Sequence, residues 1–279
     1  MTCVTGWLYC RAMPAPRRTP APARAASTVS AAFTAISPAA SGLPLFRAAK
    51  AALVQAIESG RCPPGSALPS ETALAQALGV AIGTLRHAVD ELVAEHILVR
   101  QQGRGTFVAT HNADRFLFQF FHVERADGLR ETPVVELLSF ERGRLDDEAA
   151  AALQCKPGEP AFLIENRLSL QGRAVVHDRL CLPSLLFKGL TEKRLRERPS
   201  TIYHLYQTVY GITVVQARER ARAITADRAS QRVLGVAPGT PVIQLRRTAL
   251  TFGDKPVEYR ISVLNTAAHE YVQLLSRPR

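Results

Sequence analysis

The stretch from Leu68 to Val108, LPSETALAQALGVAIGTLRHAVDELVAEHILVRQQGRGTFV, limits the fold more than any other part of the chain. Ser70 is a good N-cap, and Leu74 and Leu78 recur at helical spacing before Gly79 stops the helix. A second helical run follows with Leu85, Val89, Leu92 and Val93 on one face, while Thr84, Arg86, His87 and Asp90 point elsewhere. Ile97-Leu98-Val99 and Thr106-Phe107-Val108 then read as short strands joined by a tip of Gly103, Arg104 and Gly105. Helix, tight turn, helix and glycine-tipped hairpin is the layout of a winged helix-turn-helix, whose second helix enters the DNA major groove.

These residues resemble the GntR family of bacterial transcription regulators. The resemblance lies in Leu68-Pro69-Ser70-Glu71, Gly79-Val80, Thr84-Leu85-Arg86 and the wing from Gly103 to Val108. It implies DNA binding by Ser70, Thr84, Arg86, His87, Arg104 and Gly105. Two departures bear on the operator. Ala81-Ile82 stands where the family usually has Ser-Arg, and Thr72 where Arg is common.

Net charge is +11, which by itself suggests a polyanionic partner. Its distribution weakens that shortcut. Residues 1–42 carry four arginines and no acid, whereas residues 43–110 carry six basic against five acidic side chains. The DNA reading therefore rests on where Arg86 and Arg104 sit. The five cysteines (Cys3, Cys10, Cys62, Cys155, Cys181) are scattered, which argues for reduced thiols in a cytoplasmic protein. No apolar run approaches the ~18 residues a membrane span needs.

Residues 1–42, rich in Ala, Pro, Ser and Thr, read as a disordered basic tail. An Arg- and Ser-rich, acid-free start also resembles a transit peptide, a poor fit to a bacterial type of regulator, and Met13 is an alternative start. From Pro44, PLFRAAKAALVQAIESG reads as a helix with Phe46, Ala49, Leu53 and Ile57 on one side and Gly60 at its end. Cys62-Pro63-Pro64-Gly65 is a rigid turn. Beyond a polar linker at 109–114, Phe116, Phe118, Phe120 and Phe121 suggest a core-facing strand.

The second half contains a duplication. Leu153-x3-Pro157-Gly158-x-Pro160 recurs as Leu234-x3-Pro238-Gly239-x-Pro241, and the same offset of 81 residues carries Gly172 onto Gly253 and Arg179 onto Arg260. Each copy reads helix, Pro-Gly turn, strand, hairpin, strand, and paired hairpins can form one antiparallel sheet with helices on one face. Between the copies, STIYHLYQTVYG reads as a helix capped by Ser200.

The Pro-Gly-x-Pro turns, Thr201-Ile202-Tyr203, Arg247 and Gly253-x-x-Pro256-Val257-Glu258-Tyr259 resemble the UTRA ligand-sensing domain of the HutC subfamily, whose fold looks like that of chorismate lyase. With the winged helix, the resemblance covers about residues 43–275. It implies an α+β protein: a winged helix-turn-helix over 43–110 and a UTRA effector-binding and dimerisation domain over 111–279. The effector candidates are Arg167, His177, Asp178, Thr201, Tyr203, Arg247, Glu258 and Tyr259. Asp178 stands for the usual Glu, and Arg167 is one position out of register with the usual arginine, which strand alternation would turn to the other face.

No catalytic set stands out. Cys181 and His177, four apart in one strand, would lie about 13 Å apart. There is no nucleophile elbow, metal-ligand spacing or phosphate-cradling glycine loop. The expectation is a ligand-responsive, dimeric repressor without cofactor, metal or enzymatic activity, whose partners are a double-stranded operator and a small-molecule effector. The alternative is an enzyme of chorismate-lyase type fused to a DNA-binding module.

Overall fold

Ser70 and Gly79 bound the helix that sets the first domain. The Ser70 hydroxyl accepts the Ala73 N–H at 3.2 Å, and Gly79 takes the left-handed conformation that ends α2 (Glu71–Leu78). In this computed structural model, which describes residues 33–36, 44–112, 115 and 119–273, α2 is preceded by α1 (Leu45–Glu58) and followed by α3 (Ile82–Ala94). The wing is β1 (Leu98–Gln101) and β2 (Gly105–Val108), antiparallel from Leu98↔Val108 to Gln101↔Gly105. The Pro-Pro-Gly turn feeds a short third run into it, with Leu68 N–H on the Thr106 carbonyl at 2.8 Å and Val108 N–H on that of Ser66 at 2.9 Å.

Leu53, Leu74, Leu78, Leu85 and Leu92 are each at most 1% exposed and form the centre of this domain. Burying each side chain contributes about 1.5–3 kcal/mol. Phe33 joins the cluster, and the Ile36 N–H donates to the Leu78 carbonyl at 2.9 Å. These residues belong to the stretch that composition assigns to a disordered tail; Phe33 supplies the apolar anchor that its Ala-Pro surroundings lack. The rest of 1–42 lies outside the described residues.

The second domain is a six-stranded antiparallel sheet in the order β4-β5-β6-β9-β8-β7. Its members are β4 (Val134–Arg144), β5 (Pro160–Leu170), β6 (Arg173–Pro183), β7 (Gln216–Thr225), β8 (Pro241–Leu250) and β9 (Pro256–Leu264). The duplication is real and longer than the sequence suggests. Each copy begins with a strand, giving β4-α4-β5-β6 and β7-α7-β8-β9, where α4 is Asp147–Leu153 and α7 is Arg228–Leu234. Asp146 and Asp227 cap the two helices identically, each accepting a backbone N–H three residues on at 2.7 Å.

Helices cover both faces of the sheet rather than one. Below it, α4 packs on Leu163, Cys181 and Ile261, and α7 on Val242 and Val263. Above it lies α6 (Ile202–Tyr210), preceded by the short α5 (Glu192–Arg196). Thr201, not Ser200, caps α6, because the helix begins at Ile202 and its hydroxyl reaches the His204 N–H at 3.2 Å. A ribbon of β3 (Val123–Arg125) with β10 (His269–Tyr271) completes the domain.

Phe116 and Phe118 lie outside the described residues. Arg115 and Gln119 are helical, and the side chain of Arg115 donates to that of Gln119 at 2.7 Å, so the expected strand is absent at those positions. Phe120 and Phe121 are nevertheless core residues, at 2% and 6% exposure. The strand begins at Val123.

The hairpins differ between the copies. Gln171 and Gly172, both at positive φ, join β5 to β6, whereas five residues carrying a short 3-10 turn, Phe252–Asp254, join β8 to β9. The register therefore slips, and Arg179 and Arg260, equivalent at the offset of 81, face opposite sides of the sheet. Arg179 pairs with Asp227 beneath it at 3.4 Å, and Arg260 with Asp178 above it at 3.0 Å.

α3 starts at Ile82 with Ala81 in the N-cap position and no side-chain cap. Thr84 lies inside the helix and does not replace the missing cap. Ala81→Ser is expected to stabilise the protein by ~0.5–2 kcal/mol. A melting temperature of the Ala81→Ser chain at or below that of the parent would contradict this.

Candidate functional site

Two regions gather the candidate residues. On the winged helix, Arg86 projects from the first half of α3, with a side chain 63% exposed. Its Nε donates to Glu71 Oε2 at 2.6 Å. The i+4 partner that sequence spacing offers, Asp90, is taken by Arg100 of β1 at 2.5 Å. The hydrogen bond to Glu71, and then its charge, raise the Arg86 pKa above the usual value. With Nε held, the Nη pair is left for the bidentate geometry that guanine accepts.

His87 stacks on Phe46 of α1 with ring centroids 4.2 Å apart and lies 3.7 Å from Glu91. Its ring is engaged with α1. Ser70 spends its hydroxyl on capping α2. Thr84 sits one turn into α3, partly exposed. At the wing tip, Arg104 lies over the Phe107 ring at 5.6 Å. Gly105 has φ +109°, which a side chain would strain, so the wing backbone stays bare beside Arg104.

On the second domain, a cavity of about 730 Å³ opens above the sheet between β4, β5 and the start of α6. Of the expected effector residues, Asp178 and Thr201 line it. The others lie elsewhere. Arg167 turns away, as alternation requires, and pairs with Glu136 of β4 at 3.0 Å. His177 is fully buried beneath the sheet, bound to Ser230 at 3.1 Å and Glu165 at 2.9 Å. Tyr259 also points below, to Glu148 of α4. Strand parity separates these residues from Asp178, Arg247 and Glu258.

Glu258 and Tyr203 are buried one layer behind the cavity. The Glu258 carboxylate, 0% exposed, accepts from Tyr206 at 2.7 Å, from Tyr203 at 3.2 Å and from Arg260 Nε at 2.9 Å. Burial and the Glu258 charge push the Tyr203 hydroxyl up to about 12. Burial opposes the charge on Arg260, but Glu258, Tyr203 and Asp178 more than reverse this and hold its pKa well above the usual value. Arg247 is likewise internal: it donates to Glu219 at 2.6 Å and to the Phe120 carbonyl.

Sequence reasoning missed Arg260, Arg196, Arg198 and Asn166, all of which line the cavity. The duplication contained a signal for Arg260, but its equivalence with Arg179 concealed that the two face opposite sides. Arg196 and Arg198 carry no motif.

One further connection joins the regions. Gln207 of α6 accepts the His111 N–H at 2.9 Å and donates to the Ala109 carbonyl at 3.2 Å. His204 Nδ1 donates to the His111 carbonyl at 2.8 Å. The segment leaving the wing is thus clamped to the helix whose start borders the cavity.

A winged helix-turn-helix joined to a duplicated α+β domain with its own cavity defines a two-domain DNA-binding regulator. The chain belongs to the GntR family of bacterial regulatory proteins: the gntR family model matches residues 45–108 and the UTRA domain model residues 129–270. A histidine utilization repressor of Pseudomonas aeruginosa is 31% identical over 73% of this chain and 80% of its own length. The mannosyl-D-glycerate transport/metabolism system repressor of Escherichia coli is 24% identical over 84% of this chain and 97% of its own. Among solved structures, the ligand-binding domain of a GntR-family regulator from Bordetella bronchiseptica is 31% identical, with a TM-score of 0.54 over 57% of this chain and 99% of that one.

Two outcomes are expected. Arg86→Ala should weaken operator binding by ~1–3 kcal/mol and relax specificity at one position per half-site, read by binding to a set of single-base operator variants. An unchanged profile would remove Arg86 from base recognition. Glu258→Gln should cost on the order of 3 kcal/mol in denaturant unfolding of the full chain, because it leaves buried charge unbalanced. A loss under 1 kcal/mol would make Glu258 dispensable to the core.

Proposed function

We propose that the protein is a homodimeric, cytoplasmic transcriptional repressor released from a palindromic operator by a small metabolite bound in the cavity above the sheet. Each α3 reads one half-site, with centres about 34–36 Å apart along the DNA. Effector binding shifts the population toward a state in which the winged helices no longer match that spacing. The observation that carries this reading is the double duty of α6. Thr201 and Ile202 line the cavity, while His204 and Gln207 hold the backbone of Ala109 and His111 where the chain leaves the wing.

The relatives support repression, yet their names differ in the metabolism they serve: histidine in one, mannosyl-D-glycerate in another. The enzymatic alternative has less behind it. The acids lining the cavity, Glu136 and Asp178, are both ion-paired, so neither is poised as a general base. No helix among the described residues is long and apolar enough to cross a membrane.

The test begins with DNA selected from a random pool by the full chain, followed by a metabolite screen for operator release. Gln207→Ala should still bind the releasing metabolite, as read by thermal shift, but release the operator at least tenfold less well. If Gln207→Ala responds like the parent, α6 does not carry the signal. Sedimentation of the chain as a monomer when bound to its operator would sink the dimeric reading.

A further inference from the structure

Three features of the cavity are left unused by the fold around it. Asn166 of β5 is 5% exposed and lines the cavity, yet its Oδ1 accepts no hydrogen bond. A buried amide oxygen without a donor costs free energy until a donor is supplied. Arg198 also lines the cavity, and its buried Nε donates to nothing. Finally, α6 begins at the cavity wall. The Thr201 hydroxyl takes only the His204 N–H, so the N–H groups of Ile202 and Tyr203 lack the intrahelical partner that a first turn cannot provide.

The charges around the cavity separate these groups by role. Glu136 is neutralised by Arg167, Arg196 by Glu192, and Arg260 by Asp178 and Glu258. Arg198 is different: its Nη1 donates to the Leu195 carbonyl, and no carboxylate among the described residues pairs with it. A cation beside a helix N-terminus calls for an anion. The Asn166 oxygen, on a strand beneath, calls for a hydrogen-bond donor. Val134, Val135, Leu137 and Leu168 supply apolar wall.

From this we infer the chemical class of the effector: a small organic anion, carboxylate or phosphate, that presents an N–H or O–H donor to Asn166 as well as its charge to Arg198 and the first turn of α6. The inference rests on the reading of this cavity as the effector site. Asn166 is then the specificity-determining residue for the donor end, and Arg198 the anchor for the anionic end. A neutral compound leaves Arg198 unpaired. An anion without a donor leaves Asn166 unsatisfied, which is expected to weaken binding roughly 10–100-fold.

Matched triples of probes test this by calorimetry and by thermal shift of the full chain. One triple is 4-hydroxyphenylacetate, phenylacetate and 4-hydroxyphenylacetamide; another is glycerol 3-phosphate, propyl phosphate and glycerol. The two triples separate a carboxylate from a phosphate effector. In the triple that binds, the member with both anion and donor should bind roughly 10–100-fold more tightly than either of the others. Asn166→Leu should bring that member down to its donor-free analogue, and Asn166→Asp, which keeps an acceptor, should retain the preference. Arg198→Gln should weaken both anions alike. Equal binding of the two anions by the parent chain, or a preference that survives Asn166→Leu, overturns the inference. If no triple binds but a neutral metabolite releases the operator, the inference falls while the effector reading stands. If nothing binds or releases, both fall.

Discussion

The second domain is built around one buried carboxylate. Glu258 sits in β9 with no exposure, and removing a carboxylate from water is costly unless its charge and lone pairs are met. Arg260 meets the charge, while Tyr203 and Tyr206 meet the remaining acceptor capacity from α6. The same arginine reaches Asp178 of β6, whose other oxygen accepts the Ser262 hydroxyl. This network ties the two central strands to each other and to the helix above them. It also fixes the rotation of α6, because Tyr203 and Tyr206 must both face down. Thr201 is thereby set at the cavity, and His204 and Gln207 are set against the segment that leads to the wing.

Communication between the domains needs a rigid element, and α6 has the properties of one. Its start is capped and its buried side is held by paired charges and stacked rings; Tyr203, Phe120 and His111 are in mutual contact. Burial, and then Arg115, lower the His111 pKa to about 3, so this contact stays uncharged at neutral pH. Phe252 from the β8–β9 connection joins the winged-helix core as well. A displacement at either end of α6 is therefore passed on to its other end.

The winged helix was largely legible in the sequence because its signals are local. Ser70, Gly79 and the glycines of the wing act within a few residues of where they stand, and the leucine spacing reports burial directly. The duplication was legible for its helices and Pro-Gly turns. Its first strands were not. QARERARAIT in β7 lies at the sheet edge with most residues exposed, so no apolar alternation marks it. The effector cavity was the least legible part. Its composition depends on which face each strand residue takes, and the β8–β9 connection changed that parity for Arg260. Resemblance located Asp178 and Thr201 but also drew in His177, Tyr259 and Arg167, which alternation turns away. Arg198 and Asn166 acquire meaning only once α6, β5 and β4 surround a common space.

The unequal hairpins of the two repeats set what each copy can do. Had both copies kept the two-residue turn of Gln171 and Gly172, the halves would superimpose face for face, and the sheet would present the same side chains to both layers. The longer connection acts as a phase shifter. It advances one strand by a residue and so hands a repeated arginine to the upper layer in one copy and the lower layer in the other. A single duplicated segment thereby supplies both a helix-cap partner and the centre of a polar core. Gain or loss of one residue between Leu250 and Pro256 would exchange those assignments without altering any side chain in the strands.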